Sequence, residues 1–188
     1  MLPPKVELPS PWLEFLSEVD KSLSKPVEVI CIGGFVLTLV YGAPRTTGDI
    51  DYLTIAPTDA STELEGLAGQ GSKLAKKYKV YFHRAGGVTD LPDNYDERLV
   101  DLKLGLQNLS LKVLEPYDLV LSKLTRNSPK DREDVKYLAA KVKLSFALLY
   151  ERYTNEMKPW IPNEERHELT LNVVWKDYFA EENDAKSQ

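Results

Sequence analysis

Apolar residues recur along the chain with two different periods, which predict helices and strands in turn. After Ser10 and Pro11, which are typical of an N-cap and a first helical residue, apolar positions return every three or four residues and predict a helix over residues 11–24. Runs rich in β-branched and aromatic residues predict strands instead. These runs cover residues 27–32, 49–55, 79–83, 98–104 and 109–114.

Helices are predicted between and after these strands. A short apolar helix follows the first strand and ends at Gly42, and a longer one runs from about Ser61 to Lys77, although its glycines each cost about 1 kcal/mol relative to alanine. The glycine, proline and aspartate content of residues 84–97 predicts a loop. The short link between the last two strands indicates an antiparallel hairpin. From Pro116 onward the spacing is helical.

This order of elements predicts an α/β (α+β) fold, with a mixed sheet flanked by helices and a C-terminal helical extension. We expect the α/β core to cover residues 1–115 and the helical region, residues 116–188, to pack on the core as one compact unit. The length of 188 residues and the hydrophobic share of 43% suit a single domain with a substantial core.

Composition limits the compartment and the chemistry. No apolar run reaches the roughly 20 residues that a membrane-spanning helix needs, and the N-terminal residues lack the layout of a secretion signal, so we expect a soluble, cytoplasmic protein with no membrane partner. The single cysteine, Cys31, excludes a disulfide framework and a thiol-rich zinc site. Because it lies in an apolar strand, we interpret Cys31 as a core residue and not as a reactive thiol.

Positive charge is concentrated in two segments, although the net charge is −5. Residues 66–89 carry five basic residues and no acid, and residues 103–143 carry nine basic residues against five acids. Such segments could bind a polyanion such as RNA, because each cation near a phosphate releases condensed counterions. A solvated helix face explains them equally well.

Two aspartates stand out on the second predicted strand. Asp49 and Asp51 project to the same side of a strand, while Ile50 faces the other layer. The two carboxylates repel and need a cation, and Mg²⁺ takes oxygen ligands while leaving positions for substrate phosphates. The Gly33-Gly34 turn before a helix lets backbone amides approach a phosphate. Taken singly, each feature is as readily a tight turn or a pair of surface acids.

The positions of the histidines in the sequence do not indicate a further metal site. His83 and His167 are the only two, and they lie on distant predicted elements. We expect both to be ordinary surface or partly buried residues and not metal ligands.

The order of these features resembles a known fold. Strand, Gly-Gly turn, short helix, turn and Asp-Ile-Asp strand are similar to the opening of the nucleotidyltransferase fold of the DNA polymerase β type. The segments GGFVLTLVYGAPRTTGDIDYL and LEPYDLVLSKLTRNSPKDREDVKYL resemble the minimal nucleotidyltransferases related to the AbiEii toxins of type IV toxin–antitoxin systems and their short uncharacterised relatives. The resemblance covers about residues 27–140.

The resemblance implies transfer of a nucleoside monophosphate from an NTP to a hydroxyl, with Mg²⁺, or Mn²⁺, in a two-metal site. It implies Asp49 and Asp51 as metal ligands. The catalytic residues that it implies are Asp49, Asp51, Asp101 and Lys123. The nucleotide-binding residues that it implies are Gly33, Gly34, Arg45, Thr47, Lys123, Arg126, Lys130 and Asp131.

Several of these roles have alternatives. Asp101 is the candidate for the third carboxylate that active members of the fold carry on a later strand. Lys123 and Arg126 could instead form salt bridges with nearby acids, and Arg45 could contact either phosphate or the aspartate pair. The acceptor implied is an RNA such as a tRNA end, or a protein hydroxyl, and an antitoxin is the implied partner. A catalytically weakened binding or regulatory protein is the alternative function.

Overall fold

The computed structural model describes residues 6–86 and 90–179. Residues 87–89 of the predicted loop and the first five residues of the chain lie outside the described parts. The chain divides into two compact units. The first contains the residues before the gap together with residues 99–114, and the second contains residues 90–98 and the chain from Glu115 onward.

The first unit is built around a five-stranded sheet. Its elements are α1 (Trp12–Ser22), β1 (Val27–Ile32), α2 (Gly33–Phe35) with a π-helical turn (Val36–Val40), β2 (Asp49–Ala56), α3 (Ala60–Ala68), α4 (Lys73–Tyr78), β3 (Tyr81–Arg84), β4 (Val100–Leu102) and β5 (Leu109–Val113). The strand order is β3-β2-β1-β5-β4.

Parallel and antiparallel pairs coexist in this sheet. Strand β1 pairs with β2 in antiparallel and with β5 in parallel orientation, and β2 pairs with β3 in parallel orientation. Strands β4 and β5 form an antiparallel pair. The predicted mixed α/β fold and the antiparallel pairing of the last two strands are therefore confirmed.

Aromatic and aliphatic side chains bury one face of the sheet. Phe15 of α1 lies 5.9 Å, ring centre to ring centre, from Phe82 of β3, and Phe82 meets Tyr52 of β2 at 6.3 Å. All three side chains are buried. Cys31 is buried and free, and burial raises the pKa of its thiol well above its usual value, which confirms it as a core residue.

Two glycines break the helix that the sequence predicts over residues 61–77. The structure has two helices there, and that prediction of one continuous helix is wrong. Gly69 ends α3 in an extended conformation (φ −72°, ψ 171°). Gly71 takes φ +86°, in the left-handed region where glycine has no steric penalty. The helix predicted over residues 11–24 is also shorter in the structure, because Leu23 already has an extended backbone conformation.

The second unit is helical, as predicted for the C-terminal region. It contains a 3-10 turn (Tyr95–Arg98), α5 (Pro116–Leu121), α6 (Pro129–Val142), α7 (Phe146–Glu156), α8 (Glu164–Leu169), a π-helical turn (Thr170–Trp175) and a 3-10 turn (Lys176–Tyr178). Helix α6 begins with a capping box, in which Ser128 and Asp131 each accept a hydrogen bond from the other's backbone amide. Across the described parts of both units, no helix is long and apolar enough to cross a membrane.

Two side chains of the second unit, those of His167 and Tyr153, bury polar atoms that have no hydrogen-bond partner among the described residues. His167 is 1% exposed, and its ring meets that of Tyr153 edge-on at 6.4 Å. Among the described residues, neither ring nitrogen of His167 nor the Tyr153 hydroxyl has a hydrogen-bond partner. Burial and the charge of Arg166 lower the pKa of His167 against the opposing effect of Asp90, and burial raises the pKa of Tyr153 to about 12. Both groups are therefore neutral in the folded unit near pH 7.

The lowered pKa of His167 predicts a pH-dependent stability. The unfolded chain takes up the His167 proton below about pH 6.5 while the folded chain still resists it, so stability is full above about pH 6.5 and falls as the pH decreases toward the folded pKa. His167→Phe should flatten urea-unfolding stability between pH 7.5 and 5.5, because it removes a contribution of at most about 1.4 kcal/mol per pH unit. His83→Ala removes the other histidine, which is exposed, and is the comparison in which the slope should change less. An undiminished slope in His167→Phe would contradict this account.

Candidate functional site

Side-chain alternation along β2, ahead of a bulge, puts the two aspartates on one face of the sheet. In the ladder with β1, Ile30 pairs with Thr54 and Cys31 with Tyr52, which leaves Leu53 as the extra residue. Before the bulge, Ile50 and Tyr52 are buried on the helix-covered face. Asp49 and Asp51 therefore share the opposite face, where both are half-buried.

The two glycines after β1 lie against this face. Gly33 has φ +72°, and a Cβ atom placed on it would stand 2.7 Å from Asp51 Oδ2. A Cβ on Gly34 would stand 2.9 Å from Thr47 Oγ1 and 3.6 Å from Arg45 Nη2. Any side chain at Gly33 would displace the Asp51 carboxylate. The Gly-Gly turn is therefore required by close packing, and it lines the site with backbone.

Thr47 orients the first of the two acids. Its hydroxyl lies 3.1 Å from Asp49 Oδ1 and 3.3 Å from the Asp49 carbonyl oxygen, so it donates at the entrance to β2. The structure thus brings together Gly33, Gly34, Arg45, Thr47, Asp49 and Asp51, which are the site residues that the sequence motif of the first unit names.

The structure adds His83 to this group, and our expectation that it is an ordinary surface residue missed this placement. In the parallel pair of β2 and β3, the Cα of Asp51 stands opposite that of His83. His83 Nδ1 lies 3.0 Å from Asp51 Oδ1. Ligand atoms of Asp49, Asp51 and His83 all lie within 4.8 Å of one another. The parallel register that makes this neighbour is not readable from a single strand pattern.

Metal-binding chemistry fits this group of side chains. Carboxylate oxygens and an imidazole nitrogen are common ligands of divalent ions. The ligand atoms of the three residues lie close together, and the two carboxylates repel each other, so a divalent cation bound between them would offset that repulsion.

Asp101 does not join the pair, which corrects its assignment as the third carboxylate of the site. It lies on β4, and the strand order places β1 and β5 between β4 and β2. Three strand spacings amount to about 14 Å. The Asp101 carboxylate is paired with Lys103 Nζ at 3.0 Å and lines a cleft at the β4–β5 hairpin with Glu28. The sequence separation between Asp51 and Asp101 is compatible with a position beside the aspartate pair or far from it. The strand order shows that Asp101 lies far from the pair.

The remaining residues of the motif lie in the second unit, where they form an ion-pair cluster. Lys123 is 5% exposed, and its Nζ lies 3.0 Å from Asp134 Oδ2 and 3.6 Å from Asp131 Oδ1. Arg126 donates two hydrogen bonds to Asp131, at 2.7 and 2.6 Å, while remaining largely exposed. Lys130 is exposed at the start of α6. Salt bridges to nearby acids, the alternative raised by the sequence, are therefore present, and a nucleotide-binding role of these residues stays a prediction.

Asp131 is held ionised inside this cluster. Burial would raise the pKa of Asp131, but the hydrogen bonds from Arg126 and from the Ser128 hydroxyl and amide lower it well below its usual range. The carboxylate caps α6 through Ser128 and bridges Arg126. Asp131 thus orders the helix start as well as the cation beside it.

Comparison with known families identifies the chain. The model of a family described as a nucleotidyltransferase of unknown function (DUF6036) matches residues 13–183. The match covers most of the chain, and the protein belongs to this nucleotidyltransferase family. Searches of curated proteins and of solved structures give no match. Family membership supports nucleotidyl transfer as the general activity and an NTP as substrate.

The close approach of Gly33 to Asp51 predicts the effect of a single methyl group. Gly33→Ala should cost about 1–2 kcal/mol for the left-handed backbone alone, and it should also push the Asp51 carboxylate away and weaken divalent-ion binding. Urea unfolding and calorimetric titration with Mn²⁺ measure the two effects. Gly48→Ala is the matched control, because a Cβ at Gly48 meets nothing within 4 Å. If both variants behaved alike, close packing at Gly33 would not be what positions the acid.

The buried ion pairs of Lys123 predict a large loss of stability on truncation. Lys123→Ala leaves the buried carboxylates of Asp131 and Asp134 without this cation and should cost about 3–5 kcal/mol. Arg126→Ala removes an exposed partner of Asp131, which keeps its bonds to Ser128, and should cost less. Urea-unfolding midpoints of the two variants give the comparison. A loss of less than 1 kcal/mol for Lys123→Ala would contradict the buried-pair interpretation.

Proposed function

We propose that this protein transfers a nucleoside monophosphate from an NTP to a hydroxyl group of an RNA, such as a tRNA end, or of a protein. The observation that carries the proposal is the placement of a carboxylate pair directly against a glycine turn. Asp51 Oδ2 is 2.7 Å from the position of a Cβ on Gly33, in a chain of a nucleotidyltransferase family. Acids beside bare backbone suit a substrate that carries both phosphate and a divalent ion.

Each residue of the first unit has a role in this proposal. Asp49 and Asp51 would hold a divalent ion, Mg²⁺ or Mn²⁺, which neutralises the phosphate charge when bound. Thr47 fixes the rotamer of Asp49 through its hydroxyl. Gly33 and Gly34 leave room for phosphate oxygens beside the backbone, and Arg45, close to Gly34, supplies positive charge on the same side.

The reaction balances without a covalent enzyme intermediate. An acceptor hydroxyl oxygen attacks the α-phosphorus of the NTP and forms a new phosphoester bond, while the bond between the α-phosphorus and the bridging oxygen breaks. Pyrophosphate leaves, and the hydroxyl proton passes to solvent or to a carboxylate of the site. The protein has to position the reactants and offset charge, which the residues above can do.

Exposed lysines favour RNA as the acceptor. Helix α4 and the residue after it present Lys73, Lys76, Lys77 and Lys79 to solvent, and α4 leads directly into β3, which carries His83. Lys77 is bridged to Glu18, and the ammonium groups together form a basic surface in the first unit. The resemblance to AbiEii-type toxins adds a toxin role and an antitoxin partner to the proposal.

One observation favours a second candidate function. Within the described residues, the carboxylates of the metal-binding group are only Asp49 and Asp51, and a histidine takes the third place. A protein that binds nucleotide but transfers it poorly, and acts as a binding or regulatory protein, would have such a site. The two candidates differ in whether label is transferred.

Labelling distinguishes the candidates. The chain is incubated with each α-³²P-labelled NTP, a divalent ion and total cellular RNA or protein, and the labelled fraction is identified. We expect label in RNA, and a loss of at least about 100-fold in Asp51→Asn and Asp49→Asn, because each removes a charge that holds the ion.

The control for this experiment is Asp59→Asn, an exposed aspartate paired with Lys25, which should label as the wild type does. Nucleotide binding without any labelled product would favour the second candidate. Labelling that survives both aspartate substitutions would refute the proposed site.

A further inference from the structure

We infer that His83 is a metal ligand and that Asp49, Asp51 and His83 form a site that prefers a divalent transition-metal ion, with Mn²⁺ as the probe, over Mg²⁺. The inference rests on the proposed function and deepens it, because it concerns which ion serves the same site. The sequence motif names the carboxylate pair, and the pairing of β3 with β2 adds the imidazole.

The strand register supports the assignment of His83 first. Asp49 stands opposite Tyr81 and Asp51 opposite His83 in the parallel ladder. Phe82, between them in sequence, is buried on the helix-covered face, as is its partner Ile50. His83 and Asp51 therefore share the other face as direct neighbours. A side chain at this position of β3 can therefore lie only beside the acid pair or in solvent.

The distances support it next. His83 Nδ1 and Asp51 Oδ1 are 3.0 Å apart, which is the separation of adjacent ligands about an octahedral ion with bonds of about 2.1 Å. The ligand atoms of all three residues lie within 4.8 Å, close to the about 4.2 Å between opposite ligands of such an ion. Small side-chain rotations suffice to bring all three onto one ion.

The chemistry of the donors decides the preference. Mg²⁺ is a hard ion that takes oxygen ligands and keeps its waters, whereas imidazole nitrogen suits transition-metal ions. Mn²⁺ binds carboxylate and phosphate oxygens as Mg²⁺ does. As a first-row transition-metal ion it also accepts an imidazole nitrogen more readily than Mg²⁺, so it suits the three side chains and the triphosphate together. A histidine in place of an acid thus shifts the balance away from Mg²⁺.

Exposure of His83 makes the variants practical. Its side chain is 53% exposed on an edge strand, so replacing it removes little buried area. His83→Ala deletes the nitrogen donor, and His83→Asp replaces it with a third carboxylate. His167→Phe removes the other histidine of the chain, in the second unit, and is the control for nitrogen signals.

The experiment measures metal binding by the full chain without NTP. Titration followed by Mn²⁺ electron paramagnetic resonance gives the Mn²⁺ affinity, competition gives the Mg²⁺ affinity, and pulsed spectra of bound Mn²⁺ report a coordinated imidazole nitrogen. We expect wild type and His167→Phe to show the nitrogen coupling and to bind Mn²⁺ at least about tenfold more tightly than Mg²⁺. His83→Ala and His83→Asp should lose the coupling, and His83→Asp should move the ratio toward Mg²⁺ by about tenfold.

Two results would overturn the inference. Bound Mn²⁺ with no nitrogen coupling in the wild type, or an unchanged Mn²⁺ to Mg²⁺ ratio in both His83 variants, would reduce the contact to a histidine–aspartate hydrogen bond. Neither result bears on label transfer. Conversely, the protein could show nitrogen-coupled Mn²⁺ and transfer no label. That result would support the metal site and contradict only the proposed function.

Discussion

The site depends on one steric constraint: a side chain at Gly33, the residue that follows β1, would collide with the Asp51 carboxylate. The left-handed conformation of Gly33 lets the chain leave β1 and turn into α2 at the point where Asp51 Oδ2 would meet a Cβ at 2.7 Å. The neighbouring Gly34 makes the same allowance for Thr47. Because Thr47 in turn holds Asp49, the two glycines set the positions of both acids.

Electrostatics separates these two acids from the other aspartates of the chain. Buried Asp20 accepts hydrogen bonds from three backbone amides, and buried Asp118 accepts them from Arg98 and Arg152. Asp131 and Asp134 have Arg126 and Lys123. Asp49 and Asp51 differ from these four because they are half-buried neighbours, and their side-chain partners include the Thr47 hydroxyl and the His83 imidazole. Two adjacent carboxylates repel each other, and this arrangement supports the proposed metal site.

Sequence reasoning reached the fold and half of the site for identifiable physical reasons. Strand alternation placed Asp49 and Asp51 on one face, because that property is local to one strand. The glycines of residues 61–77 indicated a lower helix propensity, but the position of the break depends on the backbone conformations of Gly69 and Gly71, which composition does not specify. The contact of His83 with Asp51 and the distance of Asp101 from the aspartate pair are not predictable in this way, since both depend on which strands are neighbours. Pairing of β3 with β2, and the distance of β4 from β2, are non-local properties that no pattern within a strand contains.

The count of charges connects the imidazole to the substrate. Two carboxylates balance one divalent ion, and a neutral histidine adds a ligand without adding charge. A third carboxylate would add a further negative charge, which a second divalent ion would have to offset. With Asp49, Asp51 and His83 as ligands, the ligands and one divalent ion carry no net charge, and Arg45 adds positive charge beside Gly34, so the phosphate oxygens of the nucleotide would meet no net repulsion there. A histidine beside the acid pair is thus consistent with a site that receives a nucleotide, and it ties the proposed activity to the identity of the bound ion.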